Sequence, residues 1–275
     1  MDAVPVHLVS ARDEGLVPEL RLSAGLYLPF GDSPDPARTP APGLVVGHGA
    51  GSRAARHEEF CLEACRQGFA VLALDFRGHG DSQGSGDGPL EQDVLAAVRF
   101  LRAHPEVDPG SICYRGSSTG GFYGLKAAAR AGFTAMVLLC PAGEDVILDA
   151  LADQDGTEAE AVRDTEAPAD PARRDTSLST AARWDRPRLR AYFERQDSRV
   201  LAAHVECPVL LVHARADAQV PFSHSLLLAQ HLRTETTLLA LPGGSHTSAQ
   251  HDPVIHTYTA VWLRDKVSEV RAPLP

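Results

Sequence analysis

Five short stretches of the chain are apolar throughout: Gly43 to Gly47, Ala70 to Leu74, Ser111 to Tyr114, Ala135 to Cys140 and Pro208 to His213. They do not alternate with polar residues, which is the pattern of strands covered on both faces of a parallel sheet. Leu238 to Leu241 reads as one more short strand. Between the strands lie amphipathic stretches with helical spacing, at Ala54 to Gln67, Leu90 to Ala103, Gly121 to Ala131 and Phe222 to Leu232, and Val254 to Val270 reads as a closing helix. Strands alternating with helices predict right-handed crossovers and a doubly wound, mostly parallel α/β sheet. Leu20 to Leu28 alternates more and predicts an antiparallel edge hairpin.

Residues 144–203 break this rhythm. They hold fourteen acidic residues and nine arginines and no strand-like run. Ala152 to Ala182 is poor in large apolar side chains, which predicts mobility over much of it. Arg188 to Gln196 reads as a helix, with Asp185 as N-cap and Pro187 in its first turn. A segment of this length inside an α/β core is expected to be an inserted cap or lid. The expected core is then 1–143 together with 204–275.

Composition narrows the functional classes. The chain has 275 residues, 44% of them hydrophobic, and a formal net charge of −10. That balance repels a phosphate backbone and an anionic membrane surface, so neither is expected as a partner. The five cysteines are an odd number and most sit in apolar runs, which suits buried free thiols in a reducing compartment. The N-terminal residues lack the basic and apolar pattern of a signal peptide, and no apolar run approaches a bilayer span. A cytoplasmic location is the expectation.

The strongest chemical signal is Gly116-Ser117-Ser118-Thr119-Gly120-Gly121, directly after a strand and before a helix. G-x-S-x-G in that context is a nucleophile elbow: a sharp turn lifts the central serine above the sheet, and only glycine at the flanks leaves room. Ser117 falls one residue off this register. A serine nucleophile needs a base held by an acid. Asp217 follows the strand ending at His213, and His246 sits in a glycine-rich loop after the strand ending at Leu241. Ser118, Asp217 and His246 therefore read as nucleophile, orienting carboxylate and general base. His251 is the rival base, and Asp145 or Asp149 the rival acid. No zinc-helix spacing, P-loop or dinucleotide fingerprint is present, so neither metal nor organic cofactor is expected.

With HGAGS at 48–52, DFRGHGDS at 75–82, GSSTGG at 116–121, RADAQVP at 215–221 and GGSH at 243–246, the chain resembles the α/β-hydrolase superfamily. The resemblance runs from about Leu44 to Leu263 and implies that the backbone N–H groups of Ala50 and Thr119 form an oxyanion hole. HGAGSR is similar to the same loop in some dienelactone-hydrolase-like proteins, which makes Arg53 a candidate for holding an acidic substrate group or else a solvated surface residue. Trp184 and Tyr192, with Phe193, are candidates for an apolar roof. The expected activity is hydrolysis of an ester or thioester of a small or medium acyl group. The same triad serves amide or C–C hydrolysis and acyl transfer, and a non-catalytic binding module is the alternative of another class.

Overall fold

The computed structural model describes residues 3–10, 20–29, 39–157 and 184–271. Eight strands form one sheet: β1 (Val4–Ser10), β2 (Leu20–Tyr27), β3 (Ala41–Gly47), β4 (Ala70–Leu74), β5 (Val107–Ser117), β6 (Met136–Leu139), β7 (Val209–Ala214) and β8 (Thr236–Leu241). Their spatial order is β1-β2-β4-β3-β5-β6-β7-β8, and every pair from β4 to β8 is parallel. The continuous apolar runs are buried on both faces, as their lack of alternation requires; β4, β6 and β7 have no exposed residue.

Two expectations need correction. The segment at Leu20 to Leu28 is not itself the edge. β2 lies one place in, antiparallel both to β1 and to β4, and β1 takes the edge. The long helix expected from Ala54 to Gln67 begins with a 3-10 turn at Ala54–His57, followed by α1 (Glu58–Arg66). The Ala54 N–H donates to the buried Asp75 carboxylate at 2.7 Å, tying the turn down to the end of β4.

The remaining helices are α2 (Glu91–Ala103), α3 (Thr119–Ala131), α4 (Glu144–Thr157), α5 (Arg186–Phe193), α6 (Ser198–Ala203), α7 (Ser223–His231), α8 (Ser248–His251) and α9 (Pro253–Arg271). They cover two separate cores. On one face of the sheet α1 and α9 bury Phe60, Cys61 and Leu263, and on the other α2, α3 and α6 bury Val94, Phe122 and Ala202. Asp185 caps α5 as its sequence implies, accepting the Arg188 N–H at 3.1 Å, with Pro187 in the first turn. Asp197 caps α6 in the same way. The stretch predicted to be mobile, Ala152 to Ala182, falls largely outside the described residues.

Register decides where chemistry can gather. Gly47 pairs with Gly116, Ser117 with Leu139, Leu139 with Val212, and Ala214 with Leu241. The carboxyl ends of β3, β5, β6, β7 and β8 therefore finish in one row. The loops after them, carrying His48, Ser118, Cys140, Asp217 and His246, all rise from the same edge, where open α/β sheets build their sites.

Candidate active site

Ser118 stands between β5 and α3 with φ 53° and ψ −122°, a left-handed conformation that a non-glycine residue holds only when its surroundings enforce it. Its backbone is fixed on both sides: its N–H donates to Leu139 O at 2.9 Å, and its carbonyl accepts from Gly121 and Ala142. The flanking glycines are there for space. A Cβ on Gly116 would lie 2.6 Å from the Gly120 carbonyl oxygen, and one on Gly120 would lie 2.5 Å from the His48 oxygen. Ser117 is fully buried beneath the turn. Thr119 opens α3, so its N–H has no helical partner one turn back.

Across the site the His246 Nδ1–H donates to Asp217 Oδ2 at 2.7 Å, which leaves Nε2 as the nitrogen free to accept a proton. The other carboxylate oxygen, Oδ1, accepts the N–H groups of Gln219 at 2.9 Å and Val220 at 3.0 Å. Burial alone would raise the Asp217 carboxyl. The hydrogen bonds from His213 and His246 overcome it and hold the group far below the usual carboxylate range. Gln250 in turn donates to the His246 carbonyl at 2.9 Å, anchoring the loop that carries the imidazole.

His213 was not singled out by its sequence, although it stands next to last in β7, four residues before Asp217. It is fully buried, and its Nε2 lies 3.0 Å from Val220 O and 3.3 Å from Asp217 Oδ2. Both partners only accept, so Nε2 carries a hydrogen and Nδ1 accepts from the Ser225 hydroxyl at 2.7 Å. Cys140, with φ 44°, lies beside the same carboxylate, and burial pushes its thiol up to about 12. Among the described residues Cys140, Asp217 and His246 are the one trio whose ligand atoms lie close enough for a metal ion, all within 4.8 Å. In this structure the carboxylate and imidazole already bond each other.

The rival residues are placed elsewhere. Asp145 is exposed and its carboxylate meets His224 Nε2 at 2.6 Å, while Asp149 is exposed on α4. His251 reaches the cavity edge, but its ring stacks on His57 at 5.7 Å.

Ser118, His246, Ala50 and Thr119 line a single cavity of about 240 Å³. Its apolar wall is built from Phe76, Leu90, Tyr123, Ile147, Leu189 and Phe193, with Trp184 beside His79. Among the described residues, the lining contains no Asp, Glu, Lys or Arg. Of the candidate substrate contacts, Trp184 lines this cavity, and its buried indole N–H has no partner among the described residues. Tyr192 does not line it: its hydroxyl donates to Glu91 at 2.8 Å and accepts from Lys126 at 2.7 Å. Arg53 is exposed and also lies outside the lining.

Two buried devices hold the loops around Ser118. The His48 Nδ1–H donates to Gly49 O at 2.7 Å, and Nε2 accepts the Phe76 N–H at 3.1 Å. Arg77 and Asp93 form a buried bidentate pair, with Nε–Oδ2 at 3.1 Å and Nη2–Oδ1 at 2.5 Å, fastening the turn after β4 to α2. Asp93 opens α2 and gives no local sign of this role.

The sequence profile of the Alpha/beta hydrolase family matches residues 44–255. The chain belongs to that family. Among curated relatives it is 30% identical over 130 residues to the quorum-quenching protein AidA of Acinetobacter baumannii, covering 45% of this chain and 41% of that one. It is 35% identical over 124 residues to the mitochondrial acyl-coenzyme A thioesterase 2 of Mus musculus, covering 45% of this chain and 26% of that one. The matches thus span less than half the length of these two relatives. Among solved structures, Est1E from Butyrivibrio proteoclasticus with bound ferulic acid superposes with a TM-score of 0.68 at 20% identity, over 90% of this chain and 96% of that one. That likeness shows the fold. Among the described residues of this family member, no helix is long and apolar enough to cross a membrane.

Proposed function

We propose that this protein is a serine hydrolase that cleaves uncharged esters or thioesters of medium-sized acyl groups through an acyl-enzyme. The observation that carries the reading is a strained serine sharing one uncharged cavity with a histidine whose Nδ1–H is held by a buried carboxylate. Ser118 Oγ attacks the carbonyl carbon while His246 Nε2 takes its proton and Asp217 stabilises the imidazolium. The N–H groups of Ala50 and Thr119 receive the oxyanion, each such donor being worth roughly 10²–10³ in rate. His246 then protonates the leaving group, and water activated by the same imidazole releases the acid.

The acyl group lies in the apolar cavity, under a cover to which α4 contributes Ile147 and α5 contributes Leu189 and Phe193. At roughly 30 Å³ per water-sized group, 240 Å³ holds about eight of them, a medium acyl chain or a substituted ring. The missing charges in the lining favour neutral substrates, because a bound ion would be desolvated without a partner. The thioesterase relative keeps thioesters within the reading.

The test is a panel of p-nitrophenyl esters and N-acetylcysteamine thioesters graded from two to sixteen acyl carbons. The expected profile of kcat/KM peaks at medium chain length and falls at least ~10-fold at sixteen carbons, as a filled pocket costs about 1–3 kcal/mol per excess methylene. A flat profile, or no turnover of any member, overturns the assignment.

A paired substitution separates the two acids. Asp217→Asn is expected to lower kcat by roughly 10⁴-fold, since the amide cannot hold the imidazole in its productive tautomer. Asp145→Asn, which loses only the His224 contact, is expected to leave kcat within about twofold. Steady-state kinetics on one good ester checks both, and the reverse ranking would move the acid to α4.

A further inference from the structure

Arg115 lies three residues before the nucleophile on β5, facing the core under α1 and α9, and is fully buried. Its guanidinium sits 3.8 Å over the Phe60 ring, and one Nη2–H donates to the Gln250 carbonyl at 3.1 Å. Among the described residues its Nε and Nη1 groups have no hydrogen-bond partner and no carboxylate pairs with it. Within electrostatic reach of it is His57, 2% exposed, whose two ring nitrogens also have no partner among the described residues. The groups acting electrostatically on His57 are Arg115, His48, His251 and His256, each a cation or a potential one. Burial lowers Arg115 to about 9, which leaves it charged at neutral pH. The one titratable group that favours that charge, the Cys61 thiol, is itself pushed far up by burial and is therefore neutral.

A core cation without a counterion is among the most destabilising arrangements a fold can hold. A bound water would satisfy the orphaned N–H groups but leave the charge unbalanced. A small anion does both. The geometry points to a buried site for one halide-sized monovalent anion, chloride above all, held by the orphaned Arg115 donors and a His57 ring N–H. The burial of both side chains favours a small anion over a large one. The site has a link to the loop of His246: Arg115 Nη2 and His256 Nε2 both donate to Gln250 O, and the Gln250 side chain donates to His246 O. The anion thus helps fix the residue that anchors the imidazole loop.

The test is thermal unfolding of the full chain at constant ionic strength, with chloride or bromide replacing gluconate. Wild type is expected to gain roughly 3 °C in Tm at a halide concentration about tenfold above Kd, along a saturating curve. Arg115→Met is expected to show no halide dependence. A wild-type Tm that does not distinguish chloride from gluconate overturns the site, as does an unchanged halide response in Arg115→Met. Should that variant fail to fold, the ³⁵Cl linewidth of the wild-type solution decides. Saturable broadening displaced by bromide supports the site, and its absence refutes it. Neither readout uses turnover, so the outcome is independent of the hydrolase assignment.

Discussion

Ser118→Ala is expected to lose at least ~10⁴-fold of kcat and to keep its fold. The loss follows from the chemistry proposed for the site: without Oγ no acyl-enzyme forms, and what remains is binding and oxyanion stabilisation of a water reaction. The fold is expected to survive because the φ of 53° is imposed by surrounding hydrogen bonds and not by the hydroxyl, so alanine meets the same strain as serine. A Tm within about 2 °C of wild type checks this. A fluorophosphonate probe is expected to add one equivalent to wild type, mapped to Ser118, and none to the variant. Undiminished ester hydrolysis by Ser118→Ala, or labelling at another serine, would overturn the nucleophile assignment.

The second large effect is on stability in acid. Burial, assisted by neighbouring cationic groups, pushes His48 down to about 3 and His57 well below its ordinary value, and burial lowers His224 and His256 as well. In the unfolded chain these imidazoles titrate near 6.5. Below that pH the unfolded state binds protons that the folded state refuses, so stability is fully present above about pH 6.5 and drains away as pH falls toward the folded values. His48 alone accounts for about 4 kcal/mol by pH 3, a large share of an ordinary domain's stability. Asp217, held low, adds a further loss below about pH 4. Asp75, raised by burial, works in the opposite direction. The expected result is a fall in Tm of at least about 5 °C between pH 6.5 and 4.5, shallower in His48→Gln. A Tm constant across that range would show that these histidines are not kept neutral by the fold.

The central strands and the sharp turn at Ser118 were legible because each rests on a local rule. Unbroken apolar runs must be covered on both sides, and glycine must stand where backbones approach within a Cβ of each other. Asp217 and His246 could be read from their places after strands, since parallel register carries all such loops to one edge. What was hidden depends on pairing across distance. β1 has an alternating, half-exposed sequence whose place is decided by β2. His213 looks like the end of an apolar strand until Asp217 folds back over it. Asp93 is one acidic residue among several at a helix start until Arg77 reaches it. Tyr192 illustrates the opposite error: its ring suggested an apolar roof, but the hydroxyl had stronger partners in Glu91 and Lys126, and it turned away from the cavity.

The crossing of Gly120 over the carbonyls of Gly47 and His48 has a mechanical consequence. With no side chain between them, the turn that carries the serine and the loop that carries Ala50 bear directly on each other, and Tyr114 braces the contact by donating to Gly120 O at 2.6 Å. The turn of Ser118 and the loop of Ala50 are therefore held as one stiff body, so the spacing between them is set by backbone packed on backbone and not by the helices overhead.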